Sequence, residues 1–361
     1  MHTHTDYFSL IHSENSFFAG ANTPCGFSGE YENLLSEEEL EKIYMIKGGS
    51  GTGKSTLMRY CAENALREGY GVTYLLCSSD PTSLDGIIIE NEGKLGAVID
   101  STAPHTADPQ FAGAVGQIVN CGDYWDSAYL EGRREEIVAL IKEKKKCYDR
   151  AYRFIRAMGE IAAGQSKLAC EYTLAQKERE AVKRICKAFP KTGTVGKAVS
   201  RRTHCLSMKG AYRLTTFENE KRLFAVRDSA FLSAYFFEIL TKELLQYGHT
   251  VEVSRYPFGG ISEIRIPSLS AAFVPYTEGI EYEKVINLRR FADSDGMARV
   301  KQKRQFLARC FSAVTEGALE SLGDAGKLHF SLEGIYREAM DFSGIDRMGQ
   351  KMWEGLKKRL S

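Results

Sequence analysis

The chain has 361 residues, which suits two domains better than one, because a domain usually has about 100–200 residues. Its 48 Lys and Arg residues balance 47 Asp and Glu residues, so the net charge of +1 excludes a general attraction to nucleic acid or to an anionic membrane. Nine scattered cysteines with no C-x-x-C pair indicate reduced thiols and exclude a disulfide framework or a zinc site.

The N-terminal residues 1–6 lack the basic and apolar regions of a signal peptide, and no apolar run approaches the roughly 18 residues of a membrane-spanning helix. We therefore expect a soluble cytoplasmic protein that has no membrane partner. A nucleic-acid partner is not expected either, because no basic excess is present.

The first strand and helix of the predicted fold flank a glycine-rich loop. The apolar run Lys42–Ile46 predicts a strand, and residues 56–66 have helical spacing that ends before Gly69. Between them the chain fits G-x-x-x-x-G-K-[ST], the Walker A motif of a P-loop. Loop amides of this motif cradle phosphates, the lysine reaches the β- and γ-phosphate oxygens, and the hydroxyl ligates Mg²⁺. The residues expected to bind a nucleoside triphosphate are Gly48, Gly49, Ser50, Gly51, Thr52, Gly53, Lys54, Ser55 and Thr56.

Acidic residues after the next strands are candidates for the metal site. A P-loop protein needs a carboxylate at the end of a buried strand to hold Mg²⁺ and its waters. Asp100 closes the apolar run Leu95–Ile99 and is the preferred partner of Ser55 at the metal. Asp80 and Asp85, which follow the strand Gly71–Leu76, are rivals.

The segment after Asp100 bears on the reaction. No glutamate adjoins Asp100 to orient a water molecule, which disfavours fast hydrolysis of the motor type. A hydroxyl acceptor with Asp80 or Asp85 as the base would suit transfer of a phosphoryl group to a small molecule. His105 is a candidate for contact with the γ-phosphate, so the expected catalytic residues are Lys54, Asp100, Asp80 and His105.

Residues 128–195 form a predicted helical insert and linker. Its basic run Lys142–Lys146 is expected on a solvated helix face, with contact to an anion as the alternative. One arginine of the insert could close over the phosphates, and the candidates are Arg133, Arg134, Arg150, Arg153 and Arg156.

The second half repeats the first with a period near 180 residues. The strands in residues 42–47, 71–76, 95–99 and 118–120 are echoed in residues 222–227, 250–254, 270–274 and 285–287. The glycine-rich loop is not echoed, because residues 228–235 hold no glycine and no lysine, and Pro275 stands in the place of Asp100. We expect residues 196–361 to form a degenerate copy that binds no nucleotide.

Taken together, these motifs and the segments Phe17–Phe27, Cys77–Gly86, Asp100–His105 and Asn120–Trp125 resemble a poorly characterised bacterial family of ATPase-like proteins with two tandem P-loop NTPase domains. Members commonly keep a P-loop in both halves, and this chain departs from the family by losing the second. The resemblance implies ATP binding and hydrolysis, and it implies no particular substrate.

The predicted fold is therefore α/β, a P-loop NTPase fold with a parallel sheet flanked by helices, duplicated and joined by a helical insert. The expected domains are residues 1–127, the insert 128–195 and the degenerate copy 196–361.

The expected function is ATP binding with Mg²⁺-dependent hydrolysis or a nucleotide switch. A small-molecule or nucleotide kinase, and a nucleotide-gated module that binds a protein through the insert or the second half, are the alternatives. GTP is disfavoured because no N-K-x-D follows the P-loop.

Overall fold

The structure is a computed structural model that describes residues 4–103 and 106–361. The strands of these ranges are β1 (Ser9–Ile11), β2 (Ser16–Phe18), β3 (Gly20–Thr23), β4 (Gly26–Gly29), β5 (Leu40–Lys47), β6 (Gly71–Leu76), β7 (Leu84–Asn91), β8 (Lys94–Asp100), β9 (Gly116–Asn120), β10 (Lys197–Ser200), β11 (His204–Ser207), β12 (Gly210–Leu214), β13 (Arg222–Arg227), β14 (Thr250–Arg255), β15 (Ile261–Ile266), β16 (Ala271–Pro275) and β17 (Lys284–Asn287). The α-helices of the same ranges are α1 (Tyr31–Leu34), α2 (Lys54–Arg67), α3 (Ser127–Gly132), α4 (Arg134–Cys170), α5 (Ala175–Cys186), α6 (Ser233–Gln246), α7 (Ser294–Arg299), α8 (Lys301–Glu338) and α9 (Phe342–Leu360).

Two six-stranded sheets form the framework of this mixed α/β protein. The first sheet has the order β2-β6-β7-β8-β5-β9, and the second has the order β10-β14-β15-β16-β13-β17. The smaller elements are the hairpin β3-β4 and the three-stranded sheet β1-β12-β11. The strands that the sequence predicts around the glycine-rich loop, and their echoes in the second half, are present.

The prediction of a wholly parallel sheet is wrong for one strand in each sheet. β7 runs antiparallel to both β6 and β8, and β15 runs antiparallel to both β14 and β16. The reason is the length of the connections, because a parallel crossover needs about a dozen residues. Only Glu92 and Gly93 join β7 to β8, and both have positive φ, 49° and 84°, as a tight hairpin turn requires.

The two halves share one order of elements. Within the described residues, β2 to β9 and then α3 to α5 are matched one by one by β10 to β17 and then α7 to α9. The pairing confirms the equivalence of individual positions, since Asp100 pairs with Ile46 in β5 as Pro275 pairs with Val226 in β13. The predicted helical insert therefore has a counterpart at the end of the second half.

The long helices α4 and α8 pack along each other, and the two helices that follow them are exchanged between the halves. Helix α5 packs on α6, where Val182 and Ile185 join the core of the second sheet. Helix α9 packs on α2, where Met352 and Leu356 join the core of the first sheet. Each sheet is thus completed by a helix from the other half of the chain.

Because α9 packs on the first sheet, we expect a substitution in α9, near the C-terminus, to destabilise that sheet. Leu356 is fully buried and lies against Gly96 of β8. We expect Leu356→Ala to lower the free energy of unfolding by about 2–5 kcal/mol, measured by urea denaturation. The control is Leu66→Ala on α2, where the side chain is 52% exposed and the expected change is within about 0.5 kcal/mol. Equal effects of the two substitutions would contradict this packing.

Candidate functional site

The glycine-rich loop lies between the carboxyl end of β5 and the first turn of α2. Gly51 and Gly53 have φ values of 73° and 87°, in the left-handed region that a side chain disfavours. The Thr52 hydroxyl donates to the carbonyl of Gly49 at 2.9 Å and closes the loop. The loop therefore has a fixed shape, with the amino end of α2 directed at its concave side.

Lys54 folds back over this loop. Its Nζ donates to the carbonyl oxygens of Gly48 at 2.9 Å and Gly49 at 2.7 Å, and it lies 3.6 Å from the Asp100 carboxylate. Carbonyl oxygens are neutral acceptors. An anion that entered the loop would therefore bind the Lys54 ammonium group more strongly than these carbonyls do.

Asp100 is held at the end of β8, directly beside the loop. Its carboxylate accepts from the amide of Thr102 at 2.8 Å, and the Thr102 hydroxyl donates to the carbonyl of Gly48 at 3.0 Å. Burial raises the pKa of Asp100, Lys54 opposes the shift, and the nearby charge of Asp85 raises the pKa further. Two buried carboxylates therefore stand close together, and Asp100 is the one beside Lys54.

Asp85 comes to this place because β7 is antiparallel. Gly86 pairs with Ile99, so the next residues outward, Asp85 and Asp100, lie side by side at the same sheet edge. The amide of Leu84 donates to the Ser55 hydroxyl at 3.1 Å, which places Ser55 at the start of β7, one residue before Asp85. Of the two sequence rivals, Asp85 is the one that joins Asp100.

Asp80 lines the same cavity, but its carboxylate is engaged elsewhere. Lys209 from the second half lies 2.8 Å away, and both the amide and the hydroxyl of Thr82 donate to it at 3.0 and 2.7 Å. Burial acts to raise the pKa of Asp80, but the hydrogen bonds from Lys209 and Thr82 outweigh it and lower the pKa. The fourth predicted catalytic residue, His105, lies outside the described residues.

The long helices close the site from above. Helix α4 presents one face to the cavity, with residues at spacings of three and four, and these are Ile141, Lys144, Lys145, Tyr148, Asp149 and Tyr152. Helix α8 contributes His329, Glu333 and Arg337 at spacings of four. A Cβ at Gly51 would lie 2.6 Å from the Glu333 carbonyl oxygen, so α8 touches the loop itself.

Nitrogen-bearing side chains from both helices gather over the loop. The pKa of Lys144 is lowered by burial and by the charge of Lys54. Burial lowers the pKa of His329 to about 4, helped by Lys144 and Lys54 and opposed by Asp80. The His329 Nδ1 also lies 3.5 Å from the Ser50 hydroxyl. The positive charges of Lys54 and Lys144 disfavour protonation of His329. The same charges favour an anion between the loop and the helices.

Two expectations about the helical segment are corrected by this geometry. The basic run Lys142–Lys146 is not wholly solvated, because Lys144 is half-buried and faces the cavity, whereas Lys142 is exposed. Among the residues found to line the cavity in the described ranges, the five arginines proposed from the insert are absent. Arg150, for example, pairs with Asp324 at 2.8 Å, and the arginine beside the loop is Arg337 of the second half.

The equivalent loop of the second half holds its own anion. It has five residues, 228–232, against the six residues 48–53 of the first loop. The Asp228 carboxylate accepts from the amides of Ala230 and Ser233, each at 2.8 Å, at the start of α6. Phe231 is buried and has a φ of 62° although it is not glycine. The amides that would face a phosphate therefore face Asp228.

Comparisons with known proteins add nothing to this geometry, since no protein-family model, curated protein or solved structure matches the chain. None of the helices in residues 4–103 and 106–361 is long and apolar enough to cross a membrane. The same residues contain no cluster of three or more His, Cys, Asp or Glu side chains that could hold a metal ion by themselves.

Proposed function

We propose that this protein binds ATP at the glycine-rich loop of its first half and hydrolyses it slowly with Mg²⁺. The observation that carries the proposal is the convergence of Lys54, Ser55, Asp85 and Asp100 around the amino end of α2. In a P-loop NTPase these are the positions of the phosphate-binding lysine, the metal-binding hydroxyl and the metal-side carboxylates.

The donor set suits Mg²⁺. This ion keeps several waters and is usually held by one or two carboxylates together with substrate phosphates, so a cluster of three protein ligands is not required. Ser55 would ligate the ion, and Asp100 and Asp85 would hold its waters. The bound ion would neutralise charge on the β- and γ-phosphates. It would also relieve the repulsion between two buried carboxylates.

The side chains above the loop have a part in this function. Lys54 would exchange the carbonyls of Gly48 and Gly49 for phosphate oxygens. Lys144 and Arg337 would neutralise further phosphate charge from α4 and α8. Ser101 follows Asp100 and its hydroxyl donates to the carbonyl of Ile46, so this position supplies no carboxylate to orient water. Slow turnover is the expected consequence.

We further propose that the two halves arose by duplication of one P-loop NTPase unit and that only the first kept its site. The shared order and direction of strands in both sheets supports common origin. In the second half, Asp228 and Phe231 take the place of the phosphate cradle, and Pro275 takes the place of Asp100.

Two alternatives each have a supporting observation. A nucleotide switch is favoured by the contact of the loop with α8, since a Cβ at Gly49 would stand 3.0 Å from the Tyr336 ring. A kinase is favoured by the size of the cavity, about 1030 Å³, at the upper end of the usual range of roughly 300–1,000 Å³ for a ligand pocket.

The experiment is a measurement of phosphate and ADP release from Mg·ATP by the full-length protein, with and without EDTA. Slow release of both products that requires Mg²⁺ is expected for the proposed hydrolysis. ATP binding without release would favour the switch, and ADP release that depends on an added hydroxyl compound would favour the kinase. Absence of ATP binding would refute all three.

A further inference from the structure

The cavity continues well beyond the glycine-rich loop. Along the sheet edge, β6 lies three strands away from β5, a distance of roughly 14 Å at about 4.8 Å per strand. Helix α4 spans the same direction, because Lys144 faces the loop while Tyr152, eight residues on and about 12 Å farther, faces Asn22. We call the far part of the cavity the trough, and it is lined by Asn22, Phe27, Ser79, Tyr148, Tyr152 and Met208.

The trough lies on the γ-phosphate side of the loop. In a P-loop the amides hold the α- and β-phosphates, whereas the lysine and the metal-binding hydroxyl act at the γ-phosphate end. Here the Ser55 hydroxyl accepts from the amide of Leu84, the first residue of β7, and Asp85 is the second, so this end faces β7 and β6. A molecule in the trough would therefore meet the γ-phosphate and not the nucleoside of ATP.

The walls of the trough are aromatic and weakly polar. The rings of Tyr148 and Tyr152 stack with centroids 6.1 Å apart, on the same face of α4. The Tyr152 hydroxyl donates to Asn22 Oδ1 at 3.0 Å, and the hydroxyl groups of Ser79 and Tyr148 lie 3.2 Å apart. Such walls suit a planar ring that carries polar substituents.

The charged residues around the trough indicate which class of ligand it would bind. The lining residues Asp80, Asp85 and Asp149 are acidic, and Lys145, which lies one turn before Asp149 on α4, is an exposed cation of the same lining. Lys209, a cation from the second half, pairs with Asp80 at 2.8 Å, so the charge of Asp80 is largely neutralised. Asp85 and Asp149 outnumber the exposed Lys145, so this end disfavours an acceptor that is itself a phosphate ester and accepts a neutral molecule.

We infer that the trough is the site of a phosphoryl acceptor, a neutral compound with a planar ring and a free hydroxyl group, as in a nucleoside. This inference rests on the proposed binding of ATP at the loop, and it makes slow hydrolysis the reaction that occurs when no acceptor occupies the trough. In the transfer, the bond from the γ-phosphorus to the β,γ-bridging oxygen breaks, and a bond from the γ-phosphorus to the acceptor oxygen forms. The hydroxyl proton is released to water, and ADP leaves with the former bridging oxygen.

The test uses the full-length protein with Mg·ATP and a panel of the common ribonucleosides and deoxyribonucleosides. ADP release is followed by a coupled assay, and the product is identified by ³¹P NMR. At least one nucleoside should raise ADP release about tenfold or more and yield a phosphate ester in equal amount. ATP-induced stabilisation without stimulation by any member of the panel would overturn the acceptor site and leave the proposed ATP site standing. Absence of that stabilisation would instead mean that the ATP site itself is wrong.

Variants of Tyr152 separate a binding role from a structural one. Tyr152→Ala should raise the KM for the nucleoside about tenfold, because the stacking surface is lost, while the thermal shift given by ATP stays unchanged. Tyr152→Phe keeps the ring, loses only the bond to Asn22 and should retain most of the affinity. Equal KM values for Tyr152→Ala and the wild type would overturn the proposal.

Discussion

The Lys54→Ala variant should lose the stabilisation that Mg·ATP gives to the wild-type protein. At a hundredfold excess over Kd, a ligand that binds only the folded state stabilises it by about 2.7 kcal/mol. Lys54 is the cation built into the loop, held by the carbonyls of Gly48 and Gly49 and by Asp100. The measurement is a thermal melt of both proteins with and without Mg·ATP.

The matched control for this variant is Lys142→Ala. Lys142 is exposed on α4 and points away from the cavity that Lys144 faces, so its removal should leave the ATP-induced shift intact. If Lys54→Ala kept the same shift as Lys142→Ala, the loop would not be the ATP site.

The Asp100→Asn variant should bind ATP nearly as well as the wild type but turn it over about 10- to 100-fold more slowly. The amide keeps the shape and the bond to Thr102, but it lacks the charge that holds the waters of the metal, and loss of such an outer partner typically has an effect of this size. The Mg²⁺ concentration needed for half-maximal turnover should rise. Phosphate release as a function of Mg²⁺ concentration measures both effects.

Asp108→Asn is the control for Asp100→Asn. Asp108 is exposed and pairs with Lys47 at 2.8 Å. The Asp108→Asn substitution therefore removes a charge from the same half without changing a residue of the site. If Asp80→Asn, and not Asp100→Asn, slowed turnover and raised the Mg²⁺ requirement, the metal would be held at the Lys209 side of the cavity and our assignment of Asp100 would be wrong.

Features with a local cause could be predicted from the sequence. The glycine pattern, the apolar run of β5 and the helical spacing of α2 are each encoded within about 30 residues, so the loop and its neighbours were predictable. Asp100 was predictable for the same reason, because it ends an apolar strand. The matching strands of the second half followed from their order and from the gap near 180 residues.

The remaining features depend on contacts between distant parts of the chain. Asp85 reaches Asp100 only because the two-residue turn at Glu92 and Gly93 folds β7 back against β8. Gly93 is a turn signal, but glutamate is not a usual residue for the positive φ of Glu92. His329 and Arg337 reach the loop from α8, more than 270 residues away in sequence from Ser50. Nothing in the spacing of α8 distinguishes these two residues from others on a long amphipathic helix.

The exchange of α5 and α9 was equally beyond sequence reasoning. Both helices have an apolar face that either sheet could cover, and the contacts of α5 with α6 and of α9 with α2 appear only in the folded chain. The consequence is that neither half is complete alone, so experiments on the site require the whole chain.

The most direct test of the one-site account is a calorimetric titration of the full-length protein with Mg·ATP. The account predicts a stoichiometry near one per chain and no binding heat for Lys54→Ala, because Asp228 takes the amides of the second loop. A stoichiometry near two, or binding that survives Lys54→Ala, would show that the second half or another surface holds the nucleotide and would contradict the account.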